Sequence, residues 1–543
     1  MNLSYASGCG TAPLLGETIG ANLARTAARV PHSDALVDVP QGRRWTYAQF
    51  DAEVDRLGRA LLADGVAKGD RVGIWAPNCP EWVLLQYATA KIGAILVCIN
   101  PAYRADELAY VLLQAGVSRL VAVPENRGAD YRAMVESARP RAAELRRVIY
   151  IGDPSWDELM AGAAQVPAEA LQERAAQLGF DDPINIQYTS GTTGAPKGAT
   201  LTHHGILNNA YCIGELLGYS EADRVCIPVP YYHSFGMVMG NMAATSHGAA
   251  MINPSANFDP AATLRAVAQE RCTSLYGVPT MFIAELATPE CASLDLGSLR
   301  TGIMAGAPCP ASVMREVIER MNMREVAICY GMTETSPVST MTLRHDDMRR
   351  RTQTVGCVMP HVQIQIVDPA SGLVLPRGGR GELCTRGYSV MRGYWREPDK
   401  TGEAIDAGGW MHTGDLAVMD EDGYVSIVGR IKDLVIRGGE NIYPREIEEI
   451  LFGHPDIADV QVVGVPDAKY GEEVLACIRL REGAAPITAA ALKTWCDGRL
   501  ARYKIPRYVR IMESLPITVT GKVRKIELRE QGAAWLAESE RYS

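Results

Sequence analysis

The sequence predicts an α/β fold: a large N-terminal domain of parallel-sheet α/β subdomains plus a β-rich subdomain, then a small mobile α+β C-terminal domain. Three observations carry this prediction. Short β-rich runs alternate with helical segments over the first 330 residues, a rhythm that favours a largely parallel sheet. From about residue 355 the texture changes to short strands separated by Gly, Pro and Asp. At 543 residues the chain also exceeds one compact core, given roughly 100–200 residues per domain.

The elements follow in order. "TYAQFDAEVDRLGRALLADGV" carries apolar residues at helical spacing from Phe50 to Leu62, with Thr46 as its cap. Arg71–Pro77, Ala94–Pro101 and Arg119–Glu125 read as strands with helical segments between them. Past residue 200, Thr202 is the cap for a helix in "HHGILNNAYCIGELLGY". A strand in "RVCIPVP", a helix in "DPAATLRAVAQER" and a strand in "TSLYGVP" come next. "VQIQIVD", "GELCTRG" and "GYVSIVGR" form the β-rich stretch. A boundary near Arg430–Asp433 gives domains 1–430 and 431–543. The second returns to mixed α+β with "VQVVGVPD", "EVLACIRLRE" and a helical "TAAALKTWCDGRL", and its polar tail from Arg529 predicts a short helix.

Composition excludes several classes of function. Hydrophobic content of 47% and charged content of 22% fit a soluble globular protein. A net charge of −9 gives no electrostatic reason to bind nucleic acid or an anionic membrane, so an anionic substrate needs locally placed cations. No run approaches the ~20 apolar residues of a membrane span, although peripheral membrane contact stays open. The N-terminus has no basic residue before Arg25 and no sustained apolar core, which argues against a secretory signal. Its lack of acidic residues before Glu17 keeps a transit-peptide reading open. Thirteen scattered cysteines without a C-x-x-C pair read as reduced thiols in a cytoplasmic protein, either monomer or homodimer.

The densest cluster of glycines and hydroxyls is "YTSGTTGAPKG", Tyr188 to Gly198. Backbone N–H groups freed by Gly191, Gly194 and Gly198 can point at phosphate, with hydroxyls of Thr189, Ser190, Thr192 and Thr193 as further donors and Lys197 as point charge. The nucleotide-binding pattern G-x-x-x-x-G-K-[ST] is missed, because Pro196 precedes the lysine and Gly198 follows it. A Walker lysine opens a helix. Here β-prone "ATLT" follows, which places Lys197 on a loop between strands.

This loop resembles the signature of the acyl-adenylate-forming superfamily, and four further motifs match in the family's order. "YGMTE" (Tyr330–Glu334) is similar to its adenine and magnesium motif and "TGD" (Thr413–Asp415) to its ribose-binding turn. "GRIKDLVIRGGENIYPREIE" resembles its hinge motif and "TVTGKVRK" its terminal lysine motif. Among subfamilies the chain looks most like medium- and long-chain fatty acyl-CoA synthetases. The resemblance implies that a carboxylate attacks the α-phosphorus of ATP to give acyl-AMP and pyrophosphate, after which coenzyme A displaces AMP. It implies Lys522, Thr333, Glu334 and His233 as catalytic residues, with Glu334 and Thr189 holding Mg²⁺. Gly306, Ala307, Pro308, Tyr330 and Gly331 would receive adenine, and Asp415 and Arg430 the ribose. Lys432 takes the hinge position, and Gly438 and Gly439 would let the pantetheine arm pass.

The acid is read from "VPYYHSFGM", Val229 to Met237. Amino-acid-activating relatives carry an aspartate here, whereas this chain has His233 and no acid nearby, which disfavours an ammonium-bearing substrate. Met237, Tyr276, Gly277 and Val278 are the expected acyl-pocket residues, in a methionine-rich setting suited to flexible alkyl chains. The prediction is a fatty acid. Alternatives are an aryl-CoA ligase, a ligase serving an acyl carrier protein and, from another class, a P-loop-like NTPase cleaving at the γ-phosphate.

Overall fold

The computed structural model describes residues 2–189, 195–307, 309–516 and 523–541. Ser190, Gly191, Thr192, Thr193, Gly194, Pro308 and Lys522 therefore lie outside the described residues. Packing divides the chain into two units. One comprises Tyr5–Ile364 and Cys384–His412; the other comprises Met1–Ser4, Gln365–Leu383 and Thr413–Ser543.

The larger unit holds two seven-stranded sheets. In the first, Ile95–Cys98, Arg71–Trp75, Val117–Ala122 and Arg147–Tyr150 run parallel, and Pro183–Thr189 joins them in parallel beside Ile95–Cys98. Runs such as "ILVC" are buried on both faces, which is why these strands read as continuous apolar stretches without alternation. Their core gathers Val97, Leu112, Leu120 and Ile186, with Trp75 stacked on Tyr131 at 3.6 Å between ring centroids. In the second sheet Glu325–Ala327, Thr301–Met304, Ser274–Gly277, Arg224–Cys226, Ala250–Asn253 and Asp34–Asp38 are parallel neighbours in that order.

Local chemistry sets the helix ends as the sequence indicates. Thr46 caps Tyr47–Ala63 by accepting the Gln49 N–H, and the Gln49 side chain returns to the Thr46 N–H to complete a capping box. Thr202 caps His203–Leu217 in the same way through the Gly205 N–H. One expectation needs correcting. Lys197 is not on a loop but opens the strand Lys197–Thr202, antiparallel to Pro183–Thr189 with Thr189 opposite Lys197. The ladder with Pro183–Thr189 extends right up to the lysine.

The smaller unit has its own five-stranded sheet. Ile457–Asp467 and Gly471–Leu480 form a long antiparallel pair, Val435–Arg437 and Glu440–Ile442 a short hairpin, and Tyr508–Ile511 a parallel edge. Side chains alternate between two cores. Val460, Val462, Val474 and Ala476 pack with Ile447 and Leu492 on one face, while Val463, Val465, Leu475 and Cys477 pack with Leu515 and Leu528 on the other. The polar tail is a longer helix than expected, Lys525–Arg541, because Leu528 and the residues around it bury a face. The β-rich stretch appears as Val362–Val367, Arg380–Gly387, Met411–Met419 and Val425–Arg430. "TGD" is not a turn: Thr413 to Asp415 lie inside the strand Met411–Met419, and a register shift between Leu416 and Ala417 accommodates the motif.

Candidate active site

Parallel α/β sheets place ligands beyond the carboxyl ends of their strands. In the second sheet of the larger unit, four adjacent strand ends each deliver predicted site residues. His233 lies beyond Arg224–Cys226, Gly277 and Val278 beyond the body of Ser274–Gly277, Gly306 and Ala307 beyond Thr301–Met304, and Tyr330 and Gly331 beyond Glu325–Ala327. Gly277 pairs with Met304, and the Ala305 N–H donates to the Gly277 carbonyl at 3.2 Å, so two of these ends are bonded together. Gly306, Ala307 and Gly331 are exposed and form an open floor. At Gly331 only glycine fits, since a Cβ there would lie 1.9 Å from the Pro337 carbonyl oxygen.

Beside this row the structure brings Thr189 and Glu334 together, although they are 145 positions apart. Glu334 sits in the 3₁₀ turn Thr333–Thr335 and is 4% exposed. Its Oε1 accepts the Tyr394 hydroxyl at 2.9 Å and the Thr189 hydroxyl at 3.3 Å. No hydrogen bond falls on Oε2 among the described residues. Both Oε1 partners are neutral hydroxyls. A hard divalent cation prefers oxygen ligands of this kind, and the residues present fit Mg²⁺.

Tyr394 was not singled out by sequence, because "RGYW" carries no chemical signature. The strand Gly393–Tyr394 pairs antiparallel with Lys197–Thr202, which sets Tyr394 opposite Ala199. The Lys197 ammonium lies 4.8 Å from the centre of the Tyr394 ring, within cation–π range. Burial and, secondarily, the Glu334 carboxylate push the Tyr394 phenol well above its usual value, so it stays a hydrogen-bond donor at any working pH.

His233 Nδ1 accepts the Phe235 N–H at 3.1 Å. With Nδ1 accepting, the neutral tautomer carries its proton on Nε2. Beyond it the chain winds as a π-helix, Phe235–Met242, with all eight residues buried. Such windings are rare and concentrate at functional sites. Gln86 stabilises this one, donating to the Met237 carbonyl at 3.2 Å while accepting from Asn241 Nδ2 at 2.9 Å. Met237 and Tyr276 are interior residues. The Met237 sulfur accepts from Gln187 Nε2 at 3.8 Å, and the Tyr276 hydroxyl accepts from Tyr219 at 2.9 Å.

In the smaller unit Asp415 and Arg430 face each other across two paired strands, and Arg430 Nε donates to Asp415 Oδ1 at 2.8 Å. The Thr413 hydroxyl accepts the Asp415 N–H at 3.1 Å. Lys432 lies in the 3₁₀ turn Ile431–Asp433, and its carbonyl accepts from Arg529 at 2.8 Å. Gly438 and Gly439 join the hairpin strands with φ of 59° and 89°. Two consecutive left-handed residues make a type I′ turn, which explains both glycines without a ligand.

Comparison with known proteins identifies the family. The family profile of the AMP-binding enzymes matches residues 23–395, and that of the AMP-binding enzyme C-terminal domain matches residues 446–522. YngI of Bacillus subtilis, which carries an acyl-CoA synthetase name, is 49% identical over 96% of this chain and 98% of its own. The medium-chain acyl-CoA ligase ACSF2, mitochondrial, of Danio rerio is 44% identical over 98% of this chain and 91% of its own. The crystal structure of ATP-bound MatB from Rhodopseudomonas palustris superposes with a TM-score of 0.87 at 32% identity, covering 96% of this chain and 99% of that one. An NTPase reading of the glycine-rich loop falls with these matches. The chain belongs to the AMP-binding enzyme family and is an AMP-forming acid–coenzyme A ligase of that family.

Proposed function

We propose that the substrate is a medium-chain fatty acid, activated as acyl-AMP and then passed to coenzyme A. The observation that carries this reading is the row of four strand ends flanked by the Thr189–Glu334 contact. The printed name of the Danio rerio relative supports medium chain length. The buried methionine-bearing π-helix Phe235–Met242, which contains no acidic residue, supports an aliphatic acid.

In this reading His233 orients the attacking carboxylate through Nε2–H. Lys197 offsets charge on the departing pyrophosphate, and the hydroxyls and glycines of 190–194 hold the phosphate oxygens. Gly306, Ala307, Pro308, Tyr330 and Gly331 receive the adenine, while Asp415 accepts from the ribose hydroxyls beside Arg430. Glu334 and Thr189 would hold Mg²⁺, which would supply charge neutralisation at the phosphates. Lys522 enters from the C-terminal domain, 431–543, to stabilise charge at the α-phosphate, because two anions must meet there. Rotation about Lys432 then exchanges surfaces for the thiol step, with Gly438 and Gly439 flanking the pantetheine arm. We place the protein in the cytoplasm. In support, all thirteen cysteines are free, nine of them buried, and no described helix is long and apolar enough to cross a membrane.

The test is a carboxylate panel of graded chain length with ATP, Mg²⁺ and coenzyme A, scored by pyrophosphate release and thioester mass. The expected optimum falls among medium-chain acids. Turnover confined to aromatic acids, or transfer only to a carrier protein, would replace this reading.

A further inference from the structure

Lys197 and Glu334 present a problem of charge. Both sit at one site, and each is useful to a nucleotide only while unpaired: the ammonium toward phosphate, the carboxylate toward a cation. Side chains of opposite sign around one strand end ordinarily collapse into an ion pair. Among the described residues Lys197 makes no ion pair and Glu334 makes none. What stands between them is Tyr394, whose ring lies under the Lys197 ammonium at 4.8 Å and whose hydroxyl reaches Glu334 Oε1 at 2.9 Å.

The backbone holds Tyr394 in that place from three sides. Its strand pairs with the strand that Lys197 opens. The Trp395 N–H donates to the Gly198 carbonyl at 2.7 Å, and the Met391 N–H donates to the Glu334 carbonyl at 2.8 Å. One short segment, Met391 to Trp395, is thus bonded both to the neighbour of the lysine and to the glutamate itself. Gln114 Nε2 fastens its far end by donating to the Trp395 carbonyl at 2.7 Å. Such a brace resists the movement that would let the two charges meet.

We propose that Tyr394 is a positioning residue that keeps Lys197 and Glu334 apart and ready for opposite ends of the nucleotide, a proposal that rests on Glu334 as the cation's carboxylate. The hydroxyl occupies Oε1 and turns Oε2 toward the cation. The ring face holds the ammonium by a charge–quadrupole attraction that does not neutralise it. A phenylalanine keeps the second function and loses the first; a leucine loses both.

The two functions separate in binding measurements. Calorimetry with a non-hydrolysable α,β-methylene ATP analogue, titrated over Mg²⁺, reports the carboxylate, and AMP binding without metal is the reference. Tyr394→Phe is expected to raise the Mg²⁺ concentration for half-maximal analogue binding roughly three- to tenfold, with AMP affinity unchanged. Tyr394→Leu is expected to weaken the analogue about fivefold further, again without moving AMP, because Lys197 is then free to turn onto Glu334. Glu334→Gln serves as the control and should abolish most of the Mg²⁺ dependence. If Tyr394→Phe stays within about twofold of the parent while Glu334→Gln shifts strongly, the spacer role is overturned and Glu334 keeps its part. No shift in Glu334→Gln would remove the metal reading, and the spacer role with it. Equal weakening of AMP and analogue in both Tyr394 variants would show a merely structural residue and also overturn the proposal.

Discussion

Glu334 and Asp415 are both nearly buried carboxylates in predicted nucleotide positions, yet they are held in opposite ways. Glu334 accepts from two neutral hydroxyls on a single oxygen. Asp415 accepts directly from the guanidinium of Arg430 at 2.8 Å. Neutral donors orient a carboxylate and leave its charge to attract a cation. A guanidinium satisfies most of the charge and leaves lone pairs, which suit the hydroxyls of a sugar. A third carboxylate marks the other limit. Glu285 is fully buried in the helix Pro279–Ala287, neither oxygen has a hydrogen bond among the described residues, and burial pushes its carboxyl well above the usual range. The same chemical group is thus held by neutral hydroxyls, by a guanidinium or by no donor at all, and its surroundings differ accordingly.

The largest effects are expected where charge meets the α-phosphate. Lys522→Ala should slow acyl-AMP formation by about 10²–10³-fold while sparing thioester formation from supplied acyl-AMP. Single-turnover assays of each half-reaction check this, and equal loss in both would refute the assigned role. Glu334→Gln should cost about 10²-fold in the same first step and blunt its Mg²⁺ dependence. Asp415→Asn should be milder, about tenfold in the KM for ATP with kcat little changed, because it removes an acceptor and not a cation ligand. A comparable fall in kcat would erase the contrast between the two carboxylates.

A separate effect concerns stability, away from the nucleotide positions. Glu285 has a folded pKa raised above its unfolded value, so its contribution is complete below about pH 4.5 and is lost as pH rises toward the folded value. Each pH unit in that window costs up to ~1.4 kcal/mol for the one proton. Glu285→Gln should therefore flatten the decline of melting temperature as pH rises above about 4.5, read by calorimetry in parallel with the parent. An unchanged slope would mean that Glu285 ionises in the folded state.

Much of this was legible in the sequence because it rests on local chemistry. Thr46 and Thr202 announce their helices through cap geometry, and the buried parallel strands announce themselves through continuous apolar runs. The motifs around Glu334 and Asp415 were legible as patterns. Their partners were not equally so: Arg430 was expected beside Asp415, whereas Tyr394 was missed, since only strand pairing with Lys197–Thr202 brings it to Glu334. Lys197 was misplaced onto a loop for the same reason, because the strand begins where its partner Thr189 ends. Nor does any local signal mark the π-winding of Phe235–Met242, which depends on Gln86 from a distant helix. Pairings made at long range leave no trace in a short window of residues.

The row of strand ends also fixes a length. Neighbouring strands lie ~4.8 Å apart, so the four adjacent strand ends span about 14 Å. That ruler is made of backbone hydrogen bonds, not of loops. Substitutions along the row can change what is touched at each mark, but the marks themselves move only if the sheet gains or loses a strand. Evolution of a new acid preference on this scaffold is thus confined to the depth beneath the row, where the interior side chains lie, while the distance along it stays constant.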